Sequence, residues 1–159
     1  MNIRVGYGFD VHQLKEGRPC ILGGVLISSN IGPDGHSDAD VLIHAICDAL
    51  LGAANLRDIG FHFPNTDDRF KNIDSKILLS EVVKFLTDKN YRIGNVDATI
   101  VLEKPKVNPH IPAMQKVLSS IMNIDEDAIS IKATTNELLG YVGREEGVNA
   151  SAVVLIYKD

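Results

Sequence analysis

Three residues whose side chains commonly bind metal ions lie near the start of the chain. Asp10 and His12 are separated by one residue in a stretch with the composition of a β-strand, and residues i and i+2 of a strand point to the same face. His44 lies in the mostly apolar segment 41–46. One carboxylate and two imidazoles suit Zn²⁺, and three protein ligands leave a fourth position open, as in catalytic zinc sites. Spacing alone leaves a second interpretation open, a strand-end turn and a hydrogen-bonded core histidine.

Other polar residues around His44 could share that chemistry. Asp40 and Asp48 lie four residues to either side of it, on the same face of a predicted helix, where they could orient the ring or hold a second ion. His36 and Ser37 directly precede that helix. We expect His36 to lie at the same site as His44.

A second group of residues has the chemistry to bind phosphate. Residues 133–137 (Ala-Thr-Thr-Asn-Glu) follow a predicted strand and open a short helical stretch, where hydroxyls and free backbone N–H groups form an anion site. Glu137 would repel phosphate unless a cation lay between them, which points to a Mg²⁺-like ion. The alternative is a capped helix start of the Thr-x-x-Glu type, and the residues alone favour it.

A third candidate is the loop at 104–110. Its prolines, Pro105 and Pro109, fix the backbone direction and expose carbonyl and N–H groups that could recognise a nucleotide base. An ordinary proline-rich connection is an equal alternative. The segment 140–147 is rich in turn residues, and its Arg144 could pair with an anion or with a neighbouring chain.

Composition limits the classes of protein that can contain these residues. The chain has 159 residues, of which 45% are hydrophobic and 23% charged, typical of one globular domain with a sizeable core. Its net charge of −5 and its lack of a Lys/Arg block argue against a nucleic-acid partner. No apolar run approaches the roughly 18 residues of a membrane span, and no leader precedes the first predicted strand, so we expect a cytoplasmic protein. Cys20 and Cys47 form no C-x-x-C pair, and we expect no disulfide.

The periodicity of the apolar residues predicts the elements that position these groups. We predict strands at 2–12, 96–102, 129–133 and 148–157, and a hairpin of 20–22 with 25–27. We predict helices from Ser37 or Asp38 to about 54, at 74–89 and at 112–122, a short helix after 134, and loops at 28–36 and 57–72. Helices that alternate with strands indicate one sheet with helices packed on a face.

Short motifs that occur in order along the chain match one known family. They lie at 10–12 (Asp-Val-His), 36–41, 48–53, 58–60, 63–64, 105–106, 109–110, 132–135 and 143–144. On these motifs the chain resembles the 2-C-methyl-D-erythritol 2,4-cyclodiphosphate synthases of the non-mevalonate (MEP) isoprenoid pathway over essentially its whole length. Two positions depart from the family pattern: Asn65, where the family often has Asp, and Asn136, where it often has Thr.

The resemblance implies a fold and a reaction. The fold would be α/β (α+β), with residues 1–159 as a single cyclodiphosphate synthase domain: a mixed four-stranded β-sheet, helices on one face and a small N-terminal hairpin. Three copies would form a homotrimer with active sites between subunits. The implied enzyme is a lyase that cyclises 4-diphosphocytidyl-2-C-methyl-D-erythritol 2-phosphate to the 2,4-cyclodiphosphate and releases CMP. Its 2-phosphate would attack its own β-phosphate, without a covalent enzyme intermediate.

The resemblance also implies a role for each motif. Zn²⁺ would bind Asp10, His12 and His44, Mg²⁺ or Mn²⁺ would bind Glu137, and the catalytic residues would be His36, Thr135 and Glu137. The residues implied to bind the methylerythritol phosphate part are His36, Ser37, Asp58, Ile59, Gly60, Phe63 and Asp67. Those implied to bind the cytidine nucleotide are Pro105, Lys106, Val107, Asn108, Pro109, Ala133, Thr134 and Thr135. Gly143 and Arg144 would lie near the trimer axis, where family members can hold a hydrophobic diphosphate.

Two other functions could use the same residues. A metal-dependent phosphohydrolase could use the same three ligands to activate water, and it would release an open monophosphate instead of a ring. A non-catalytic trimeric nucleotide sensor could bind CMP or CDP through residues 133–137 without turnover. The products formed from the substrate would separate these functions from cyclisation.

Overall fold

The computed structural model describes residues 2–158, and residues 1 and 159 lie outside the described range. The strands of the central sheet are β1 (Asn2–Glu16), β4 (Ile31–Asp34), β5 (Arg92–Val101), β6 (Ile129–Thr134) and β7 (Gly147–Lys158). They form a five-stranded sheet in the order β4-β1-β7-β5-β6. The β5–β6 pair is parallel and the other pairs are antiparallel, so the sheet is mixed. A separate hairpin joins β2 (Cys20–Leu22) to β3 (Val25–Ile27).

The helices cover one face of this sheet. They are α1 (Val41–Ala53), α2 (Ile59–His62), α3 (Ser75–Asp88), α4 (Ile111–Met122) and α5 (Gly140–Gly143). Helix α1 contacts β1, β5 and β7, α3 packs on α1, and α4 packs against β6. Because α4 lies in the crossover from β5 to β6, these two strands can run parallel.

Two glycines let α1 lie directly on β1. A Cβ atom on Gly6 would be 1.9 Å from the carbonyl oxygen of Ala49, and one on Gly8 would be 2.0 Å from that of Ala45. A side chain at either position would overlap the helix backbone, so glycine is required for this close approach. The contact brings His44 of α1 next to the residues that follow Gly8 in β1.

The opposite face of the sheet carries exposed apolar side chains. Val5 and Tyr7 are 65% and 64% exposed. We call this surface the bare sheet face and define it by Ile3, Val5, Tyr7, Phe9, Val11 and Val153, all of them exposed. Tyr7 and Val153 are cross-strand partners in β1 and β7, so the patch spans two strands. A contiguous apolar patch of this kind marks an interaction surface.

The sheet has one strand more than the sequence predicted. The predicted four-stranded sheet and the predicted loop at 28–36 are wrong, because β4 pairs with the end of β1. Gly32 and Pro33 gave this segment the composition of a loop. Proline is tolerated here because β4 is an edge strand, with no neighbour on its outer side.

The mixed sheet, the small hairpin and the alternating helices are confirmed, with some shifted boundaries. Helix α1 begins after Asp40, whose side chain accepts a hydrogen bond from the backbone of Ile43, and so neither Ser37 nor Asp38 is its N-cap. The predicted loop at 57–72 contains α2 and a short 3-10 turn. Within residues 2–158, no helix combines the length and apolar character needed to cross a membrane.

Candidate functional site

Asp10, His12 and His44 converge on one point. Asp10 and His12 belong to β1, and His44 reaches them from the first turn of α1. The Oδ2 atom of Asp10 lies 2.8 Å from Nε2 of His12 and 3.0 Å from Nδ1 of His44. These two histidine nitrogens are 3.2 Å apart. The side chains that the sequence predicted as zinc ligands are thus assembled within one chain.

Strand β4 orients the His12 ring. Its Nδ1 atom lies 3.0 Å from the backbone carbonyl oxygen of Asp34. A carbonyl oxygen can only accept, so Nδ1 carries the hydrogen and donates it. In the neutral ring Nε2 therefore keeps its lone pair, which faces Asp10 and His44.

His44 is oriented by hydroxyl groups at its outer nitrogen. Its side chain is 11% exposed, and its Nε2 atom lies 2.8 Å from Oγ of Ser75 and 3.2 Å from Oγ of Ser37. Ser75 is the first residue of α3. The metal centre therefore receives direct contacts from the start of a second helix.

The Asp10 carboxylate and the His12 imidazole shift each other's pKa. Burial disfavours charge on Asp10, but hydrogen bonds to His12 and His44 outweigh it and hold the pKa of Asp10 well below its ordinary value. Burial likewise disfavours charge on His12, yet its hydrogen bond with Asp10 and the attraction between the two raise the pKa of His12. The three side chains therefore favour a cation between them, which can be a proton or a metal ion.

The donor atoms and their spacing fit a zinc ion. Zinc bonds of about 2.0–2.1 Å in a tetrahedron separate neighbouring ligand atoms by about 3.3 Å. The observed separations of 2.8, 3.0 and 3.2 Å need only a small expansion to reach that value. Mg²⁺ prefers oxygen ligands, and two of the three donors here are imidazole nitrogens.

A cavity of about 550 Å³ adjoins the centre. His12 and His44 form part of its wall. The predicted substrate-binding residues that also line it are His36, Ser37, Ile59, Gly60 and Phe63. Its volume falls within the range of small-molecule sites. The fold thus brings two segments predicted to bind the methylerythritol phosphate part, 36–37 and 59–63, together in the wall of one cavity.

Two predicted substrate-binding carboxylates lie outside that wall. Both oxygens of Asp67 accept hydrogen bonds from the Arg69 guanidinium, and this partner lowers the pKa of Asp67. The backbone carbonyl of Asp67 accepts from Nε2 of His36 at 3.2 Å, so Asp67 orients that ring through the main chain. Asp58 precedes α2, and its carboxylate lies beside Gly60.

A shallower depression of about 120 Å³ lies where β5 and β6 end. All but one of the predicted nucleotide-binding residues line it: Pro105, Lys106, Val107, Asn108, Ala133, Thr134 and Thr135. The exception, Pro109, lies in the 3-10 turn that leads into α4. Because parallel strands end at the same edge of a sheet, two segments distant in sequence meet here.

Glu137 lies on an exposed loop whose backbone is fixed by hydrogen bonds to a buried side chain. Glu137 and Leu138 have backbone φ angles of 52° and 63°, which are uncommon for residues other than glycine. The buried carboxylate of Glu103 accepts hydrogen bonds from the N–H groups of Asn136 (3.0 Å) and Leu138 (3.2 Å) and holds this conformation. The Glu137 carboxylate contacts the Thr135 hydroxyl at 3.4 Å. The Thr-x-x-Glu capping alternative is wrong, because the following helix, α5, begins at 140 and its N-cap residue is 139.

Gly143 and Arg144 lie at the end of α5, next to that loop. A Cβ atom on Gly143 would be 2.0 Å from the backbone of Leu138, so the loop and the helix are packed backbone to backbone. The Arg144 guanidinium pairs with Glu146 at 3.0 Å. Their predicted place near a trimer axis stays a prediction.

Asp40 and Asp48 do not orient His44, contrary to the sequence interpretation. Asp40 accepts hydrogen bonds from three backbone N–H groups, two of them at the hairpin turn 23–24. Burial raises the pKa of Asp40 to about 6. Asp48 accepts from the backbone of Ile59 at 2.7 Å. Both carboxylates instead tie α1 to neighbouring segments.

Sequence reasoning missed the groups that hold the predicted site residues in place. They are the carbonyl of Asp34, the side chains of Asp38 and Ser75, and the carboxylate of Glu103. Asp38 was predicted as a possible helix cap and Ser75 lies within the predicted helix at 74–89, so neither position indicated a link to His44. No local spacing in the sequence connects these residues to the groups they hold.

Comparisons with known proteins identify the family. A model of the YgbB family matches residues 3–157. A protein of Cytophaga hutchinsonii is 67% identical over 158 residues, which cover 99% of each chain. One of Bacteroides fragilis is 64% identical over 156 residues, which cover 98% of each chain. Both relatives are named 2-C-methyl-D-erythritol 2,4-cyclodiphosphate synthase.

Solved structures agree with this match. The bifunctional IspDF from Campylobacter jejuni superposes with a TM-score of 0.96 at 40% identity, over 99% of this chain and 43% of that one. IspF of Plasmodium falciparum, solved as a CDP complex, superposes with a TM-score of 0.88 at 36% identity, over 99% of this chain and 98% of that one. Since the family model and these relatives each match nearly the whole chain, the chain belongs to the YgbB family, the 2-C-methyl-D-erythritol 2,4-cyclodiphosphate synthases.

Proposed function

We propose that this protein cyclises 4-diphosphocytidyl-2-C-methyl-D-erythritol 2-phosphate to 2-C-methyl-D-erythritol 2,4-cyclodiphosphate and releases CMP, as an enzyme of the MEP pathway. The observation that carries the proposal is the convergence of Asp10, His12 and His44 at the wall of a cavity of about 550 Å³. Relatives with this activity in their name are 58–67% identical to the chain. A solved relative was crystallised with CDP, which shares the cytidine diphosphate part of the substrate.

The reaction depends on neutralising charge more than on a strong base. The attacking 2-phosphate and the β-phosphate are both anionic, and two unit charges about 4 Å apart repel by about 4 kcal/mol at an effective dielectric constant near 20. A new bond forms between an oxygen of the 2-phosphate and the β-phosphorus. The bond from that phosphorus to the CMP oxygen breaks, and its electron pair leaves with CMP. The attacking phosphate is already ionised, so no proton has to be removed.

Two clusters of side chains would hold the ions. Asp10, His12 and His44 would hold Zn²⁺, and Glu137 would hold Mg²⁺ or Mn²⁺. When bound, these ions would neutralise diphosphate charge and stabilise the departing CMP. The two imidazole donors support zinc at the first cluster. The exposed carboxylate of Glu137, next to the predicted phosphate-binding Thr135, supports a harder ion at the second.

The remaining residues would bind the substrate and bend it toward ring closure. Ser37, Ile59, Gly60 and Phe63 would surround the methylerythritol phosphate part in the large cavity. Alignment of two reacting groups can supply about 7–11 kcal/mol of the barrier reduction in favourable cases. Exclusion of water from this largely apolar wall would favour cyclisation over hydrolysis.

His36 would supply a hydrogen-bond acceptor to the substrate. Because its Nε2–H donates to the carbonyl of Asp67, its Nδ1 atom keeps a lone pair in the neutral ring. That atom would accept from a methylerythritol hydroxyl, and the nearby Asp58 carboxylate could accept from another.

The depression where β5 and β6 end would bind the nucleotide. The proline-rich loop and Ala133 would contact cytidine, Lys106 would face its phosphate side, and Thr134 and Thr135 would bind phosphate oxygens. At about 120 Å³ the depression is well below the roughly 300 Å³ of a typical small-molecule pocket. A second subunit would therefore have to complete it.

A homotrimer built on the bare sheet face would bring that second subunit into place. Burial of these six exposed apolar side chains would drive association. The cavity of one subunit would then meet the nucleotide depression of its neighbour, and Gly143 and Arg144 would lie near the axis, where a hydrophobic diphosphate could bind. Light scattering of the protein in solution should give three times the chain mass. The Val5→Lys substitution on the bare sheet face should lower this measured mass.

A product assay with zinc quantification on the same sample tests the function. We expect phosphorus NMR to show a cyclic diphosphate formed in equal amount with CMP. An open monophosphate would indicate a phosphohydrolase, and binding of CDP without any CMP release would indicate a nucleotide sensor. Either result would reject the proposed reaction.

A further inference from the structure

A chain of buried polar groups leads away from the outer nitrogen of His44. Nε2 of His44 lies 2.8 Å from Oγ of Ser75, and the Ser75 hydroxyl donates a short hydrogen bond to Oδ1 of Asp38. The second oxygen of Asp38 accepts from the backbone N–H of Ser75 at 3.0 Å. Ser75 is fully buried, and Asp38 is half-buried, so water has little access to the serine hydroxyl.

The direction of each hydrogen bond in this chain follows from the groups involved. A serine hydroxyl has one hydrogen, and a carboxylate can only accept, so the hydrogen of Ser75 is committed to Asp38. His44 therefore meets the lone pairs of the Ser75 oxygen, and its Nε2 atom must carry a hydrogen. The other nitrogen, Nδ1, lies 3.0 Å from Asp10, and its lone pair would face an ion that replaced the hydrogen between these two atoms.

We propose that Ser75 and Asp38 are positioning residues for the metal centre, which hold the His44 ring with Nε2 protonated and Nδ1 directed at the ion. The inference rests on the proposed zinc site. Metal-binding histidines commonly donate their other N–H to a neighbouring acceptor, and loss of that acceptor typically lowers metal affinity about 10–100-fold. Here a hydroxyl connects the ring to a carboxylate and links the ion to the start of α3.

The same contacts could instead serve only to begin α3. The N-cap residue of α3 is Asp74, whose side chain accepts from the backbone N–H of Lys76 at 2.9 Å. That hydrogen bond does not involve His44. Asp74→Ala removes this cap and is therefore a control that disturbs the start of the helix and leaves the contacts of the ring unchanged.

The test measures zinc affinity of the full-length chain by competition with a chelator at one fixed pH. We expect Ser75→Ala to weaken zinc binding about 10–100-fold and Asp38→Asn to weaken it several-fold, because the amide still accepts one hydrogen bond. Asp74→Ala, and Ser80→Ala at an exposed position of α3, should bind zinc like the parent. Proton NMR of the zinc-loaded parent should show a slowly exchanging Nε2–H of His44, and this hydrogen should exchange faster in Ser75→Ala.

Specific results would overturn the proposal. Unchanged zinc affinity in both Ser75→Ala and Asp38→Asn would do so, and so would an equal loss in Asp74→Ala. If Ser75→Ala does not fold, Asp38→Asn decides, because it keeps the shape of the side chain. A parent chain that binds zinc tightly but releases no CMP would reject the proposed reaction and leave this inference standing.

Discussion

The metal centre and the Glu137 loop are both predicted to hold a divalent ion, yet the fold supports them differently. His12 and His44 are each held at their outer nitrogen, by a backbone carbonyl and by a buried hydroxyl. Glu137 has its backbone held by Glu103, while its exposed carboxylate makes one long contact with Thr135.

This difference indicates how each ion would bind. At the metal centre the ligands are ordered and partly dehydrated when the chain folds, so little rearrangement is needed when zinc arrives. At Glu137 a single exposed carboxylate cannot satisfy Mg²⁺, which needs several oxygen ligands. We therefore expect the first ion to be resident and the second to bind together with the substrate phosphates.

Removal of a ligand from the metal centre should have the largest effect. We expect His44→Ala to lose bound zinc and to lower turnover about 10³-fold or more, because a buried ion worth several kcal/mol of charge stabilisation is lost. Metal analysis and CMP release on one sample check this. Lys84→Ala, at an exposed position of α3 outside the walls of both cavities, should keep zinc and turnover. Retained turnover without zinc would contradict the assignment.

Removal of charge from the exposed loop should have a smaller and separable effect. We expect Glu137→Gln to lower turnover about 10²-fold and to leave the zinc content unchanged, because the hydrogen bonds that hold this loop come from Glu103 and Thr135, which are not zinc ligands. Glu81→Gln, at an exposed position of α3, is the matched control. If zinc were lost with Glu137, the two regions would not be independent.

Acid should affect the metal centre through His12. Because folding raises the pKa of His12, protonated His12 stabilises the folded metal-free protein below pH about 6.5. This contribution to the free energy of unfolding is lost as the pH rises through the pKa that His12 has in the folded protein. Zinc must displace that proton, so zinc affinity should fall about tenfold per pH unit below the folded pKa. The lowered pKa of Asp10 keeps its carboxylate ionised in this range. A chelator titration from about pH 5 to 8 gives the slope, and a flat profile would contradict this coupling.

Removal of the Lys106 charge at the rim of the nucleotide depression should have the smallest effect on the kinetics. Lys106 is exposed, and an exposed ion pair contributes up to about 1 kcal/mol, so Lys106→Ala should raise KM by up to about fivefold with little change in kcat. Steady-state kinetics measure both constants. Lys116→Ala, exposed on α4, should leave them unchanged, and a fall in kcat alone would move Lys106 into the chemical step.

Much of the fold could be predicted because local patterns determine local structure. The hairpin, α1, α3 and α4 follow from apolar periodicity and turn residues, and they are confirmed within a few residues. β4 was missed because Gly32 and Pro33 have loop propensity, and only pairing with the end of β1 makes the segment a strand. Asp40 and Asp48 were placed at His44 by helical spacing, but their oxygens bind backbone N–H groups of other segments.

The sequence by itself determined the chemical identity of the site: one carboxylate and one imidazole on a strand, a second imidazole on a helix, and two glycines that let that helix lie on the strand. The tertiary structure decided which nitrogen of each histidine faces the centre. The deciding partners, the Asp34 carbonyl and the Ser75 hydroxyl, lie 22 and 31 residues away from the rings they hold. Backbone geometry sets the direction of side chains over one or two turns, whereas contacts over such separations depend on how whole elements pack.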